Sequence, residues 1–77
     1  MKTKNDYYAL QSEIEQIEKA HGNAYLTDVC VDMENAGLQE TDQGFWDAMY
    51  DSMCSAAGSR AEDLGLNINK LLGRSIY

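Results

Sequence analysis

The chain has 77 residues, of which 44% are hydrophobic, 13 are acidic and 6 are basic, and its formal net charge at pH 7 is −7. This length allows one domain, 1–77, with a small core, and no apolar run approaches the roughly 20 residues that span a bilayer. The acidic surplus disfavours direct binding to nucleic acid or an anionic membrane, because such binding depends on cations that neutralise phosphates. Polar residues follow the first four, where a signal peptide needs an apolar segment, so we expect a cytosolic protein.

The first predicted helix extends from about Asp6 to Ala20. Asn5 is a suitable N-cap, and Gly22 suits the left-handed position that closes a helix. Apolar side chains recur at spacings of three and four residues, which predicts a narrow seam that packs against a neighbouring helix. The seam consists of Tyr7, Leu10, Ile14, Ile17 and His21.

The second predicted helix extends from about Ala24 to Ala36, with Asn23 or Thr27 as its cap and Gly37 as its stop. Four of its apolar residues follow the i, i+3, i+4, i+7 pattern of a helix face. These are Leu26, Val29, Cys30 and Met33. The alternation of a strand is absent, so we prefer a helix.

The third predicted helix begins after Thr41 or Asp42 as a cap and ends near Gly58. It contains the only Trp and the only Phe of the chain, so we expect its apolar face to be the centre of the core. That face consists of Phe45, Met49, Met53 and Ala56, extended by Trp46, Tyr50 and Ala57. The opposite face consists of Asp47, Asp51 and Ser55.

The last predicted helix begins with a capping box at Ser59 and Glu62 and ends at Gly73. Its apolar face is Ala61, Leu64, Ile68, Leu71 and Leu72. Gly65 costs this helix about 1 kcal/mol relative to Ala, so two shorter helices with a turn at Gly65 are the alternative. Four amphipathic segments and short connections predict an all-α fold, a compact bundle of about four short helices.

A turn at Gly65 also matches the spacing of a helix-turn-helix. The matching positions are Ala61, Gly65, Leu66 and Leu71. The second helix of the motif reads DNA, and here it offers Asn67, Asn69, Lys70 and Arg74. Because the domain is strongly acidic, a DNA-binding regulator is an alternative rather than our preferred hypothesis.

Catalysis and metal binding find little basis in the sequence. His21 is the only histidine, and no motif places a Ser or Cys nucleophile beside it. Cys30, Cys54 and His21 lack the close spacing and the fourth ligand of a closed zinc site. The six glycines are scattered and form no phosphate-binding loop. We therefore expect a non-enzymatic protein without a metal or cofactor.

Acidic residues dominate the middle of the chain, because no Lys or Arg occurs between Lys19 and Arg60. Two pairs of acidic residues are spaced at i, i+4, where like charges destabilise a helix slightly. They are Asp28 with Asp32 and Asp47 with Asp51. Either these rows are ordinary solvated faces or they meet a cationic partner. For the second hypothesis the predicted contact residues are Asp28, Asp32, Glu34, Glu40, Asp42, Asp47 and Asp51.

In size and charge the chain resembles the small acidic proteins with which phages inhibit host nucleic-acid machinery, including anti-CRISPR and anti-restriction proteins. The resemblance covers no motif. It implies an inhibitor that binds a basic site of a partner protein or nucleoprotein complex. The alternatives are the DNA-binding regulator and a dimeric regulatory or assembly factor, in which the seam of the first helix forms a homodimer.

Overall fold

The computed structural model describes residues 1–22, 26 and 37–77, and this part of the chain is all-α. It contains α1 (Lys4–Ala20), α2 (Phe45–Asp63) and α3 (Ile68–Leu72), with no strand among the described residues. The predicted helical class is therefore confirmed for these residues. The predicted second helix, 24–36, lies outside them except for Leu26, which is buried and donates its backbone N–H to Glu18 Oε1 at 3.2 Å.

The start of α1 differs from the prediction, because Thr3 and not Asn5 is the N-cap. The Asp6 backbone N–H donates to Thr3 Oγ1 at 3.3 Å, and the Thr3 backbone N–H donates to Asp6 Oδ2 at 2.8 Å. This reciprocal capping box satisfies two backbone donors at once, which a cap at Asn5 does not offer. The Asp6 carboxylate also accepts a hydrogen bond from the Thr3 hydroxyl at 3.1 Å. The bond from the Thr3 backbone N–H, and after it the bond from the hydroxyl, hold the pKa of the Asp6 carboxyl below its ordinary value. At the other end Gly22 has a φ of +77°, as predicted.

Helix α2 is longer than predicted and starts differently. Its N-cap is Gly44, with a φ of +85° and no side-chain cap, so neither Thr41 nor Asp42 caps it. Gly58 does not end the helix, and the predicted capping box at Ser59 and Glu62 is wrong because both residues are helical. Gly58 has no positive φ, so its backbone continues the helix.

The actual end of α2 is a Schellman motif at Gly65, whose φ is +76°. The Leu66 N–H donates to Ala61 O at 2.7 Å, and the Gly65 N–H donates to Glu62 O at 2.9 Å. These two bonds satisfy carbonyl groups that the helix end leaves without partners. The turn at Gly65 that the alternative predicts is therefore present, but the residues before it, 59–63, are the end of α2 and not a separate short helix.

Helix α2 packs against both α1 and α3. The buried side chains of the described residues are Tyr7, Leu10, Ile14, Leu26, Met53, Cys54, Ala57, Ala61 and Ile68. The predicted buried face of α2 is therefore displaced towards its C-terminal half. Small residues there allow the neighbouring helices to approach closely, whereas Phe45, Met49 and Ala56 are only half-buried.

Candidate functional site

Four of the seven predicted acidic contact residues belong to the described part of the chain. Glu40 and Asp42 precede α2, and Asp47 and Asp51 lie in its first two turns. The other three, Asp28, Asp32 and Glu34, lie outside the described residues. Two of the four described carboxylates contact residues 2–4, since Asp47 binds Lys2 and Glu40 pairs with Lys4.

Each of three carboxylates has a partner from the chain itself. Asp47 Oδ1 accepts the backbone N–H of Lys2. Glu40 Oε1 lies 3.8 Å from Lys4 Nζ, in a pair whose side chains are 65% and 58% exposed; such a pair contributes at most about 1 kcal/mol. Asp42 accepts the Gln39 N–H at 2.8 Å and donates its own N–H to Gln39 O at 2.9 Å. Asp42 therefore closes the turn that leads into α2.

Four aromatic side chains form a cluster where α1 meets the start of α2. The Trp46 ring centroid lies 5.5 Å from that of Tyr7, 6.0 Å from that of Tyr8 and 4.9 Å from that of Phe45. Tyr7 and Tyr8 stand edge to face at 5.2 Å. These separations are those of stabilising aromatic pairs. Tyr7 is 5% exposed and Tyr8 is 48% exposed, so the cluster has a buried base and an exposed rim.

The ammonium group of Lys2 packs against an aromatic ring next to this cluster. Lys2 Nζ lies 4.6 Å from the ring centroid of Tyr50, within the range of a cation–π interaction. Tyr50 stands four residues after Trp46, on the same side of α2. We name the surface around residues 2–4 the acidic–aromatic face; the contacts above define it by Tyr8, Phe45, Trp46, Tyr50, Glu40 and Asp47. We assign Asp42 and Asp51 to it as well, because Asp42 closes the turn before α2 and Asp51 lies one helical turn after Asp47.

The sequence predicted the acidic residues of this face but not their position beside the aromatic cluster and Lys2. Lys2 and Asp47 are 45 residues apart in the chain, so no local pattern links them. One signal was present, since the spacing from Thr3 to Asp6 is that of a capping box and fixes where α1 begins. Residues 1–3 then precede the helix directly, at the end where it packs on α2.

Nucleophilic chemistry finds no support at Cys54. The thiol is buried, and this burial raises the pKa of Cys54, with a further contribution from the negative charge of Asp51. A raised pKa lowers the fraction of reactive thiolate. His21 is exposed at the end of α1, and Cys30 lies outside the described residues. Within residues 1–22, 26 and 37–77, no three His, Cys, Asp or Glu side chains form a group that could hold a metal.

The spacing of a helix-turn-helix is realised only in part. Ala61 is buried and Gly65 forms the turn, but α3 has five residues and Leu71 is 40% exposed. Three of the four predicted DNA-reading residues make contacts within the protein. Asn67 caps α3, Asn69 binds the backbone of residues 76 and 77, and Arg74 pairs with Glu13.

The seam proposed for a homodimer is used inside the protein. Tyr7, Leu10 and Ile14 are buried in the core, and Ile17 is packed against it. No helix of the described part is both long enough and apolar enough to cross a membrane. Comparison with family models, curated proteins and solved structures gives no match to this chain.

Proposed function

We propose that the protein is a non-enzymatic inhibitor that docks its acidic–aromatic face on a basic, nucleic-acid-binding site of a partner protein or nucleoprotein complex. The observation that supports this most directly is the cation that the face already holds. The Lys2 ammonium lies over the Tyr50 ring, and the Lys2 backbone is bound by Asp47. A partner that displaces Lys2 places its own lysine or arginine against the same ring and carboxylate.

The aromatic side chains at the rim of the cluster add apolar contact area, which carboxylates alone do not provide. Tyr and Trp are frequent anchors of protein interfaces, because they bury a large area and offer a polar tip. On this face Tyr8, Phe45 and Trp46 are exposed or half-buried. A partner that covers these rings gains apolar contact in addition to ion pairs.

Charge accounts for the choice of partner. A net charge of −7 attracts a basic surface at long range and accelerates association at low salt. Asp47 and Asp51 follow each other at about 6 Å along α2, which is close to the separation of successive phosphates. A groove that binds successive phosphates of a nucleic acid can therefore bind these two carboxylates at a similar spacing.

The test is affinity capture from cell extract at low and high salt, followed by binding measurements with the captured partner. We expect a nucleic-acid-binding protein that is released as the salt concentration rises. Asp47→Lys with Asp51→Lys should weaken its binding at least tenfold, about 1.4 kcal/mol, and flatten the salt dependence.

The matched control changes the same charge elsewhere. Glu15→Lys with Asp63→Lys alters two exposed acids outside the acidic–aromatic face. This variant should keep most of the affinity, because only the long-range attraction is reduced. Equal losses for the two double variants would show that net charge and not this face determines binding, and unchanged affinity for the first would reject the proposal.

A further inference from the structure

Residues 74–77 lie against α2 and α3, and Asn69 binds their backbone. Asn69 Oδ1 accepts the Ile76 N–H at 2.7 Å and the Tyr77 N–H at 3.0 Å. Asn69 Nδ2 donates to the main-chain oxygen of Tyr77 at 3.0 Å. One amide side chain thus satisfies three main-chain groups of two successive residues, using both its acceptor and its donor.

The ring of Tyr77, in the same segment, packs against Gly58 of α2. A Cβ atom at Gly58 would overlap the ring and the Cβ of Tyr77, so only glycine leaves space for the ring at this point of α2. The Tyr77 hydroxyl lies 3.5 Å from Glu62 Oε2. A pocket of about 390 Å³ extends beside the ring, lined by Gly58, Glu62, Leu66, Asn67, Ile68 and Asn69.

A third contact fixes the start of the segment. Arg74 Nη1 and Nη2 donate to the two carboxylate oxygens of Glu13 on α1, at 2.5 and 3.1 Å. This bidentate geometry is the strong form of an arginine–carboxylate pair. Glu13, and after it the Tyr50 hydroxyl, raises the pKa of the Arg74 guanidinium.

All these contacts join the segment to residues that precede it in the chain. The segment itself continues from Gly73, a single residue at a φ of +75°. Its recognition therefore resembles that of a bound peptide: backbone hydrogen bonds, a site for a ring and a carboxylate for an arginine. We propose that Gly58, Asn69 and Glu13 form a peptide-recognition groove that accepts residues 74–77 of a second copy of this chain in place of its own.

Reciprocal exchange of such a segment recreates every contact between two copies and is a common route to dimers. The segment of the same copy competes at an effective concentration in the millimolar range. We therefore expect a monomer in dilute solution and exchange at high protein concentration.

Two full-length variants separate the groove from its ligand. Gly58→Ala keeps residues 74–77 but blocks the groove of its own copy, and Ala is a better helix former than Gly. Tyr77→Ala keeps the groove but lacks the ring. Each variant alone should be monomeric by sedimentation, whereas their equimolar mixture at about 0.5 mM, near the effective concentration of the tethered segment, should form a mixed dimer. The control adds Asn69→Ala to the Tyr77→Ala chain, and this mixture should stay monomeric.

A second measurement does not depend on the folding of Gly58→Ala. The synthetic peptide Gly-Arg-Ser-Ile-Tyr is titrated into isotope-labelled Tyr77→Ala protein, and the side-chain amide signals of Asn69 should shift at millimolar peptide. A peptide of the same composition in scrambled order should leave them in place. A monomeric mixture of folded variants overturns the proposal, even if the free peptide binds. If the Gly58→Ala protein does not fold, the peptide titration decides: Asn69 amide signals that do not shift overturn the proposal.

Discussion

Met53 occupies the centre of the core and has no solvent exposure. It is the only long side chain among the buried residues of α2, whose other members are Cys54, Ala57, Gly58 and Ala61. A flexible thioether fills the irregular space that such small neighbours leave. The stability of this small domain therefore depends strongly on one residue.

Met53→Ala should lower the free energy of unfolding by about 2–5 kcal/mol, because the loss of buried contacts is combined with a cavity. Chemical denaturation followed by circular dichroism measures this loss. Met1 is 82% exposed, so Met1→Ala should leave the unfolding free energy nearly unchanged. Equal effects of the two changes would contradict the assignment of Met53 to the centre of the core.

Asp6 gives α1 a dependence on pH. The pKa of its carboxyl is lower in the folded protein than the ordinary value of 3.8, first because the Thr3 backbone N–H donates to it. The unfolded chain thus binds the proton more readily, so this contribution is fully present above the ordinary pKa and is lost as the pH falls through the folded pKa.

Asp6→Asn should therefore reduce stability at pH 7, and its effect should shrink as the pH falls below the ordinary pKa of 3.8 and the carboxyl becomes protonated. Thermal unfolding of both proteins across this range provides the comparison. Glu15→Gln removes an exposed carboxylate from the same helix and should change little. A difference between Asp6→Asn and the parent protein that does not vary with pH would contradict the role of the charged cap.

At the scale of elements, the helices were more predictable than their ends. Apolar spacing was sufficient for the existence of α1 and α2. The ends depend on distant contacts or on backbone geometry. Gly58 and Gly65 are both glycines that could end a helix, but Gly58 lies within α2 and contacts Tyr77, whereas Gly65 has the positive φ of a helix end. The candidate site divides in the same way: the acidic residues were visible in the sequence, but the aromatic cluster and Lys2 required the packing of α1 on α2.

Gly65→Ala should destabilise the protein by about 1–2 kcal/mol, because an L-residue with a Cβ is strained at a φ of +76°. Asn tolerates this conformation better than Ala, so Gly65→Asn should cost less. Unfolding free energies of the two variants give the ranking. A ranking in which Ala is the milder change would indicate that Gly65 does not terminate α2 in the left-handed conformation.

For the whole molecule, the distribution of charge opposes compaction. The chain carries 13 acidic residues against 6 basic ones, and local pairs such as Lys4–Glu40 are exposed and weak. Repulsion between the remaining carboxylates acts over distances that salt screens, since the screening length falls from about 10 Å at 0.1 M to about 3 Å at 1 M. Surface charge thus favours association with cations and disfavours the isolated folded state.

Adding monovalent salt to about 0.5 M should therefore raise the unfolding midpoint, because screening relieves this repulsion. The Glu15→Lys, Asp63→Lys variant has a net charge of −3, since each change adds two positive charges to the −7 of the parent. Its midpoint should rise less with salt. A fall in the midpoint of the parent protein would show that attractive pairs dominate instead.

The position of Trp46 gives the protein an internal optical reporter. It is the only tryptophan of the chain, and it is half-buried among Tyr7, Tyr8 and Phe45 on the acidic–aromatic face. Tyr77 marks the groove at the other end of α2. Emission excited at the red edge of the indole band therefore reports on this face, and reciprocal exchange recreates the one contact described between the face and the segment, that of Arg74 with Tyr50. A partner that docks there should shift or quench the fluorescence, while exchange of residues 74–77 should leave it constant, so one unlabelled sample distinguishes the two interactions.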